Sequence, residues 1–267
     1  MSGRSRTGTR LYCSAKALLD PKRKLENSVK EREDPNCTAT NDSTKELDLN
    51  KQDVRSRIEE VGIIPAVRVS SAEDALFAAE AVARGGIPII EVTLTAPGAH
   101  KVIAQLVQKI PDVIVGAGGV NDLETARSCL DAGASFLSSD GFQAEIVGFA
   151  VEENAVVIPG TLTPSEVVRA WKMGPDFVKV VPCAQVGGES YIRALKAMFP
   201  NVPLIAAGGV NQQTASGFIL AGAIALGIGA ELIPREAIRR RQPDRIAELA
   251  RRFIGFVSKA RSQLNDR

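Results

Sequence analysis

Three charged residues interrupt runs that are otherwise apolar. Lys179 stands in Phe177-Val-Lys-Val-Val-Pro182, Glu91 in Ile89-Ile-Glu-Val-Thr-Leu94, and Arg68 closes Pro65-Ala-Val-Arg68. Burying a charge is costly unless the group is paired or used. A lysine turned to a protein interior is pushed towards its neutral form, and a neutral amine attacks a ketone to give a Schiff base. The same spacing also fits a lysine turned outward that carries its ammonium to solvent. Glu91, beside such a lysine, suits general acid/base proton transfer. A structural ion pair is the other reading for it. Arg68 offers a planar fork for a carboxylate, or is an exposed strand-end arginine.

Glycines supply a second chemical signal. Gly208-Gly209 and Gly227-Ile-Gly229 each follow an apolar run near the C-terminal end of the chain. Glycine lets the backbone approach a ligand, and N–H groups at a helix start favour phosphate. Turn geometry alone also places glycine in such loops.

The elements that must carry these residues alternate strand and helix from Gly62 onward. The expected strands are Ile63–Val69, Ile87–Leu94, Val113–Val115, Phe136–Ser138, Val156–Ile158, Phe177–Val181, Pro203–Ala206 and Ala225–Ile228. Most are apolar on both faces, as buried parallel strands are. Thr163-Pro-Ser-Glu166 is a capping box with proline at the first helical position. Ser70–Glu73 and Asn121–Glu124 repeat the N-cap-to-N3 spacing, and Gly85, Gly133, Gly174 and Gly222 are expected to end helices. Ala117-Gly-Gly-Val-Asn121 recurs as Ala207-Gly-Gly-Val-Asn211. The alternation and this echo predict a (β/α)8 barrel, a TIM barrel, over residues 51–267. A doubly wound open sheet is the alternative, but its GxGxxG fingerprint is missing. In a (β/α)8 barrel the C-terminal strand ends carry the chemistry, and the seventh and eighth loops often hold phosphate. That is where Lys179, Glu91, Arg68 and the paired glycines fall.

Composition sets the outer limits. The chain has 267 residues, 45% hydrophobic and 24% charged, with a formal net charge of +2. These are globular proportions, and the charge gives no ground for a nucleic-acid or membrane partner. No apolar run approaches the ~18 residues of a membrane span. His100 is the single histidine, which excludes a multi-histidine zinc site and weighs against Ser-His-Asp catalysis. Cys13, Cys37, Cys129 and Cys183 form no CxxC pair and read as reduced thiols of a cytoplasmic protein. Cys129 and Trp171 read as helix packing; Cys183, four residues past Lys179, is placed to line the site and reads as packing there, with a reactive role as the less favoured alternative. Residues 1–50 hold 10 Lys and Arg with 8 Asp and Glu, and few apolar residues. That composition predicts a disordered N-terminal extension. Its basic start faintly resembles a transit peptide; a dispensable extension or a start codon placed too far upstream is the plainer reading.

Residues 62–259 resemble the class I aldolases that cleave 2-keto-3-deoxy-6-phosphogluconate (KDPG) and 4-hydroxy-2-oxoglutarate (KHG). The resemblance rests on Pro65-Ala-Val-Arg68, Ile90-Glu-Val-Thr-Leu94, Ile114-Val-Gly-Ala-Gly118, Pro159-Gly-Thr-Leu-Thr-Pro164, Phe177-Val-Lys179 with Pro182, and Ala207-Gly-Gly-Val-Asn211. It implies that Lys179 is the Schiff-base lysine, Glu91 the general acid/base and Arg68 the arginine on the pyruvyl carboxylate. It implies substrate contacts at Thr93, Gly119, Ser139, Pro159 and Ala207, and phosphate contacts at Gly208, Gly209, Gly229 and Ala230. It implies no cofactor and no metal, a small keto-acid substrate and a homotrimer. The chain departs from the pattern at Gly119, Asp140, Ala207 and Ala230, where many members have Thr, Pro, Thr and Ser. An apolar residue at the Ala207 position looks like the galactonate-specific branch, and Asp140 adds a negative charge near an anion site. The alternatives are a phosphosugar isomerase with no covalent intermediate and a non-catalytic barrel that binds keto-acid or sugar phosphate.

Overall fold

The computed structural model describes residues 50–68, 71–93 and 98–266. The predicted N-terminal extension lies outside them, apart from Asn50. The strands are β1 (Ile63–Val67), β2 (Ile89–Thr93), β3 (Ile114–Gly118), β4 (Phe136–Ser138), β5 (Val156–Ile158), β6 (Gly160–Thr161), β7 (Val178–Val180), β8 (Leu204–Ala207) and β9 (Ala225–Ile228). The helices before and between them are α1 (Lys51–Val61), α2 (Ala72–Arg84), α3 (Ala99–Lys109), α4 (Leu123–Asp131), α5 (Ala144–Glu152), α6 (Pro164–Trp171), α7 (Gly188–Met198) and α8 (Ala215–Leu220). Two more, α9 (Arg235–Arg239) and α10 (Pro243–Asn265), follow the last strand.

All strand pairs are parallel, and their order is β5-β4-β3-β2-β1-β9-β8-β7-β6. The two ends of that order are halves of one strand, broken at Pro159, which has no N–H to give a ladder. The sheet therefore closes into a barrel of eight β/α units, as the alternation predicts. The break is held from outside the strand: Pro159 O accepts from Lys179 N at 2.9 Å, and Ser139 N donates to Ile158 O at 3.2 Å.

Local boundaries differ from expectation in instructive ways. β3 runs on through Gly116-Ala-Gly118, residues of low strand propensity, because neighbours on both sides fix them in the barrel wall. Strand two starts at Ile89, since Ile87 N still closes the end of α2 on Val82 O at 3.3 Å. The N-caps of α2 and α4 are Ser71 and Asp122, each one residue later than expected, accepting from Asp74 N and Thr125 N. Adjacent residues offer the same capping chemistry. The register that buries Ala75, Ala78 and Val82, or Ala126 and Cys129, selects the second. The box on Thr163 and Glu166 forms as expected.

The N-terminal ends of the strands are plugged. Phe136 fills the barrel where Gly116 leaves room, since a Cβ on Gly116 would overlap its ring. α1 packs across this end with Val54 and Ile58 buried. Its Lys51 pairs at 3.1 Å with buried Asp176, which also accepts from Val157 N. The C-terminal ends stay open.

Candidate active site

The open end holds a cavity of ≈450 Å³. Small residues make it: Ala66 on β1, Ala207 on β8 and Gly227 on β9 face inward where bulky side chains would close the barrel. Lys179, in the middle of β7, projects into this space and is 6% exposed. Pairing of Lys179 with Gly160 on one side and Ile205 on the other fixes its register. Alternation then sends Val178 and Val180 out towards the helices and Lys179 in. The sequence left inward and outward open; the register decides for inward.

Glu91 lines the same cavity from β2 and is 8% exposed. It lies over β3, where a Cβ on Gly118 would overlap its carboxylate. Only glycine at 118 leaves room for that side chain. Arg68 continues the inward series Ile64, Ala66, Arg68 and reaches the rim, where it is exposed.

The far wall is backbone. Gly208 and Gly209, at φ +80° and +87°, turn the chain out of β8, and Gly229 and Ala230 follow β9. All four line the cavity, as does Ala207. Eight of the expected residues thus meet around one space: Arg68, Glu91, Lys179, Ala207, Gly208, Gly209, Gly229 and Ala230.

Four expected residues are not in the lining. Ser139 spends its hydroxyl on Gly141 O at 2.7 Å and Gly160 N at 3.3 Å, so it buttresses the strand break. Pro159 forms that break. Gly119, at φ +70°, turns the chain out of β3. Thr93 is buried one inward position beyond Glu91, and its hydroxyl has no hydrogen-bond partner among the described residues.

A family model described as KDPG and KHG aldolase matches residues 54–249. The chain belongs to this aldolase family. Among curated KDPG aldolase relatives, that of Treponema pallidum (strain Nichols), a 2-dehydro-3-deoxy-phosphogluconate aldolase, is 29% identical over 75% of this chain and 95% of its own. The KHG/KDPG aldolase of Escherichia coli (strain K12) is also 29% identical, over 72% of this chain and 90% of its own. A solved KDPG aldolase from Legionella pneumophila, with pyruvate captured as a covalent carbinolamine, superposes with a TM-score of 0.69. It is 31% identical and covers 74% of this chain and 96% of that one.

Three polar residues at this KDPG/KHG-type site escaped the sequence reading or were read only in part. Lys179 Nζ donates to Ser138 Oγ at 2.9 Å and to Asp140 Oδ1 at 3.2 Å. Ser138 carried no signal, because serine in a short apolar strand reads as filler. Asp140 was visible as a charge near the site, but its contact with a lysine 39 positions away was not. Arg235, at the start of α9, lines the cavity beside the glycine loops. In sequence it merges with Arg239-Arg-Arg241 and reads as a solvated basic run. The charges lining the cavity balance formally, with Arg68, Lys179 and Arg235 against Glu91, Asp140 and Glu231.

Cys183 packs behind the site. It is fully buried, its Sγ donates to Gly208 O at 3.5 Å, and burial pushes the thiol up to about 11. His100 is exposed on α3, and Cys129 and Trp171 pack on helices as expected. Among the described residues no three His, Cys, Asp or Glu side chains cluster as a metal set would. No described helix is long and apolar enough to cross a membrane.

Proposed function

We propose that the protein is a class I, pyruvate-forming aldolase acting on a 2-keto-3-deoxy sugar acid phosphate, on 4-hydroxy-2-oxoglutarate, or on both. The observation that carries this is one cavity with a buried lysine amine and a buried carboxylate on its walls and four small backbone residues at its far side. Lys179 attacks the C2 ketone, and loss of water gives the Schiff base, an electron sink for the next step. Glu91 takes the proton of the C4 hydroxyl, directly or through water. The C3–C4 bond breaks, the aldehyde leaves, and its electron pair remains as the enamine. Proton return to C3 and hydrolysis of the imine release pyruvate and regenerate Lys179. No metal or cofactor is required by these steps.

Arg68 holds the substrate carboxylate through a bidentate pair. Gly208, Gly209, Gly229 and Ala230 present backbone to the distal phosphate, and Arg235 adds a cation there. Thr93 offers a hydroxyl beside Glu91. Gly119 and Pro159 shape the turn and the wall, and Ser139 supports them. Ala207, without a hydroxyl, favours the galactonate over the gluconate epimer at C4. Resemblance to the family supports a homotrimer, and the free, buried Cys129 and Cys183 support a cytoplasmic location.

A coupled assay of pyruvate release tests this reading, using KDPG, its galactonate epimer and 4-hydroxy-2-oxoglutarate in turn. Release from at least one is expected, with the galactonate epimer ahead of KDPG. Release from none of the three, by folded protein, overturns it.

A further inference from the structure

Lys179 is held by two acceptors that the reaction above does not employ. Its Nζ donates to Ser138 Oγ at 2.9 Å and to Asp140 Oδ1 at 3.2 Å. Ser138 is 1% exposed and ends β4, whereas the Asp140 side chain is 54% exposed and lines the cavity. The two acceptors come from one strand end, across the broken strand from β7. An amine nitrogen has four tetrahedral directions. One is taken by Cε, and two N–H bonds are committed to Ser138 and Asp140. One direction remains.

We infer that Ser138 and Asp140 are positioning residues that aim the Lys179 lone pair into the cavity. The inference rests on Lys179 being the Schiff-base lysine. In the ammonium the uncommitted direction is an N–H bond. When that bond breaks, the electron pair stays on nitrogen and the proton passes to Glu91 or to water in the cavity. The freed pair lies along the path to the ketone. It forms the N–C bond while the carbonyl π pair moves to oxygen, which takes a proton. Without the two anchors the ammonium rotates about its last bond, and only a fraction of its orientations can react. Well-oriented attack is worth large factors, and a misplacement of about 1 Å can cost about a hundredfold. On this account Asp140 acts through its oxygen as a hydrogen-bond acceptor, so its negative charge is not the working feature. Proline, which many family members carry at this position, has no side-chain acceptor. The anchoring is therefore a device of this chain's own residues.

The test is the rate of borohydride-trapped adduct formation on Lys179 at saturating pyruvate, with the wild type, Asp140→Ala and Asp140→Asn. Asp140→Ala is expected to slow trapping by about ten- to a hundredfold, with the half-saturating pyruvate concentration unchanged. Asp140→Asn keeps an Oδ1 acceptor and is expected to recover most of that loss. Thermal unfolding of each variant reports whether the fold is intact, and Ser138→Ala removes the other anchor as an independent probe. If Asp140→Ala forms adduct as fast as the wild type, the positioning role is wrong. If Asn is as slow as Ala, the charge matters and the acceptor geometry does not, which also overturns the inference. A wild type that gives no adduct defeats the Schiff-base reading itself, a result distinct from either.

Discussion

Two cavities of nearly equal size lie at opposite ends of the barrel. The one at the C-terminal strand ends measures ≈450 Å³ and the one between α1, α10 and the start of β2 measures ≈460 Å³. Both are lined by charged residues. The difference is in what those charges already do. At the lower cavity, Arg261 donates to Glu59 O, Glu60 O and Ile224 O at 2.6–2.9 Å, and Arg57 pairs with Glu60. Those groups join α10 to α1 and to the barrel floor. At the upper cavity, Lys179 keeps one bonding direction uncommitted, and Glu91 has no hydrogen bond from a described side chain. Volume does not separate a site from a structural recess here. Uncommitted valence on buried groups does.

The comparison is broken most directly by exchanging the roles of the two ends. Lys179→Ala is expected to remove at least about a thousandfold of kcat, since no second lysine lines the cavity among the described residues and a carboxylate cannot form the Schiff base. Retained turnover would make the upper cavity no more catalytic than the lower. Glu91→Gln keeps shape and removes the proposed base; kcat is expected to fall by about 10²–10⁴ with Tm nearly unchanged. A variant that only raises KM would assign Glu91 to binding.

Arg261→Ala addresses the other end. Three carbonyls lose a charged donor, so stability is expected to drop by about 1.5–3 kcal/mol with kcat unchanged. A loss of turnover without a loss of stability would show that the lower cavity communicates with the reaction. The smallest effect sharpens the comparison within the upper end. Glu166 sits at that end but is fully used, accepting from Leu162 N at 2.9 Å and Thr163 N at 2.7 Å. Those backbone donors hold its carboxyl below the usual value of 4.5. Its contribution is therefore complete above that value and is lost as pH falls through the lower folded-state value. Glu166→Ala is expected to cost about 1 kcal/mol at neutral pH. The gap between variant and wild type in thermal melts should shrink progressively below pH 4.5. A gap independent of pH would mean the carboxylate charge plays no part in the cap.

Much of this was legible in the sequence because the chemistry of strands makes it so. A lysine or glutamate in an apolar strand stands out, and the glycine pairs after strands are conspicuous. The direction in which Lys179 points was not legible, since a single short strand reads the same with either face inward. It took the pairing with Gly160 and Ile205 to fix it. Pro159-Gly160 reads as the end of a strand, but the chain resumes pairing beyond it because the neighbouring β4 and β7 hold separate halves. Ser138 and Asp140 reach Lys179 only through barrel closure, a long-range consequence that no local spacing encodes. Arg235 was hidden by its own basic surroundings. The helix starts in two βα turns were displaced by single residues, to Ser71 and Asp122, where adjacent capping side chains compete and burial chooses between them.

The measurement that bears most directly on the account is intact-mass analysis after incubation with pyruvate and borohydride, followed by peptide mapping. The account predicts one adduct per chain, of the mass of a reduced pyruvyl group, on Lys179 and on no other lysine. Absence of an adduct, with the protein folded and a known Schiff-base enzyme trapped in parallel, would contradict it. The site would then belong to a non-covalent isomerase or to a binding barrel.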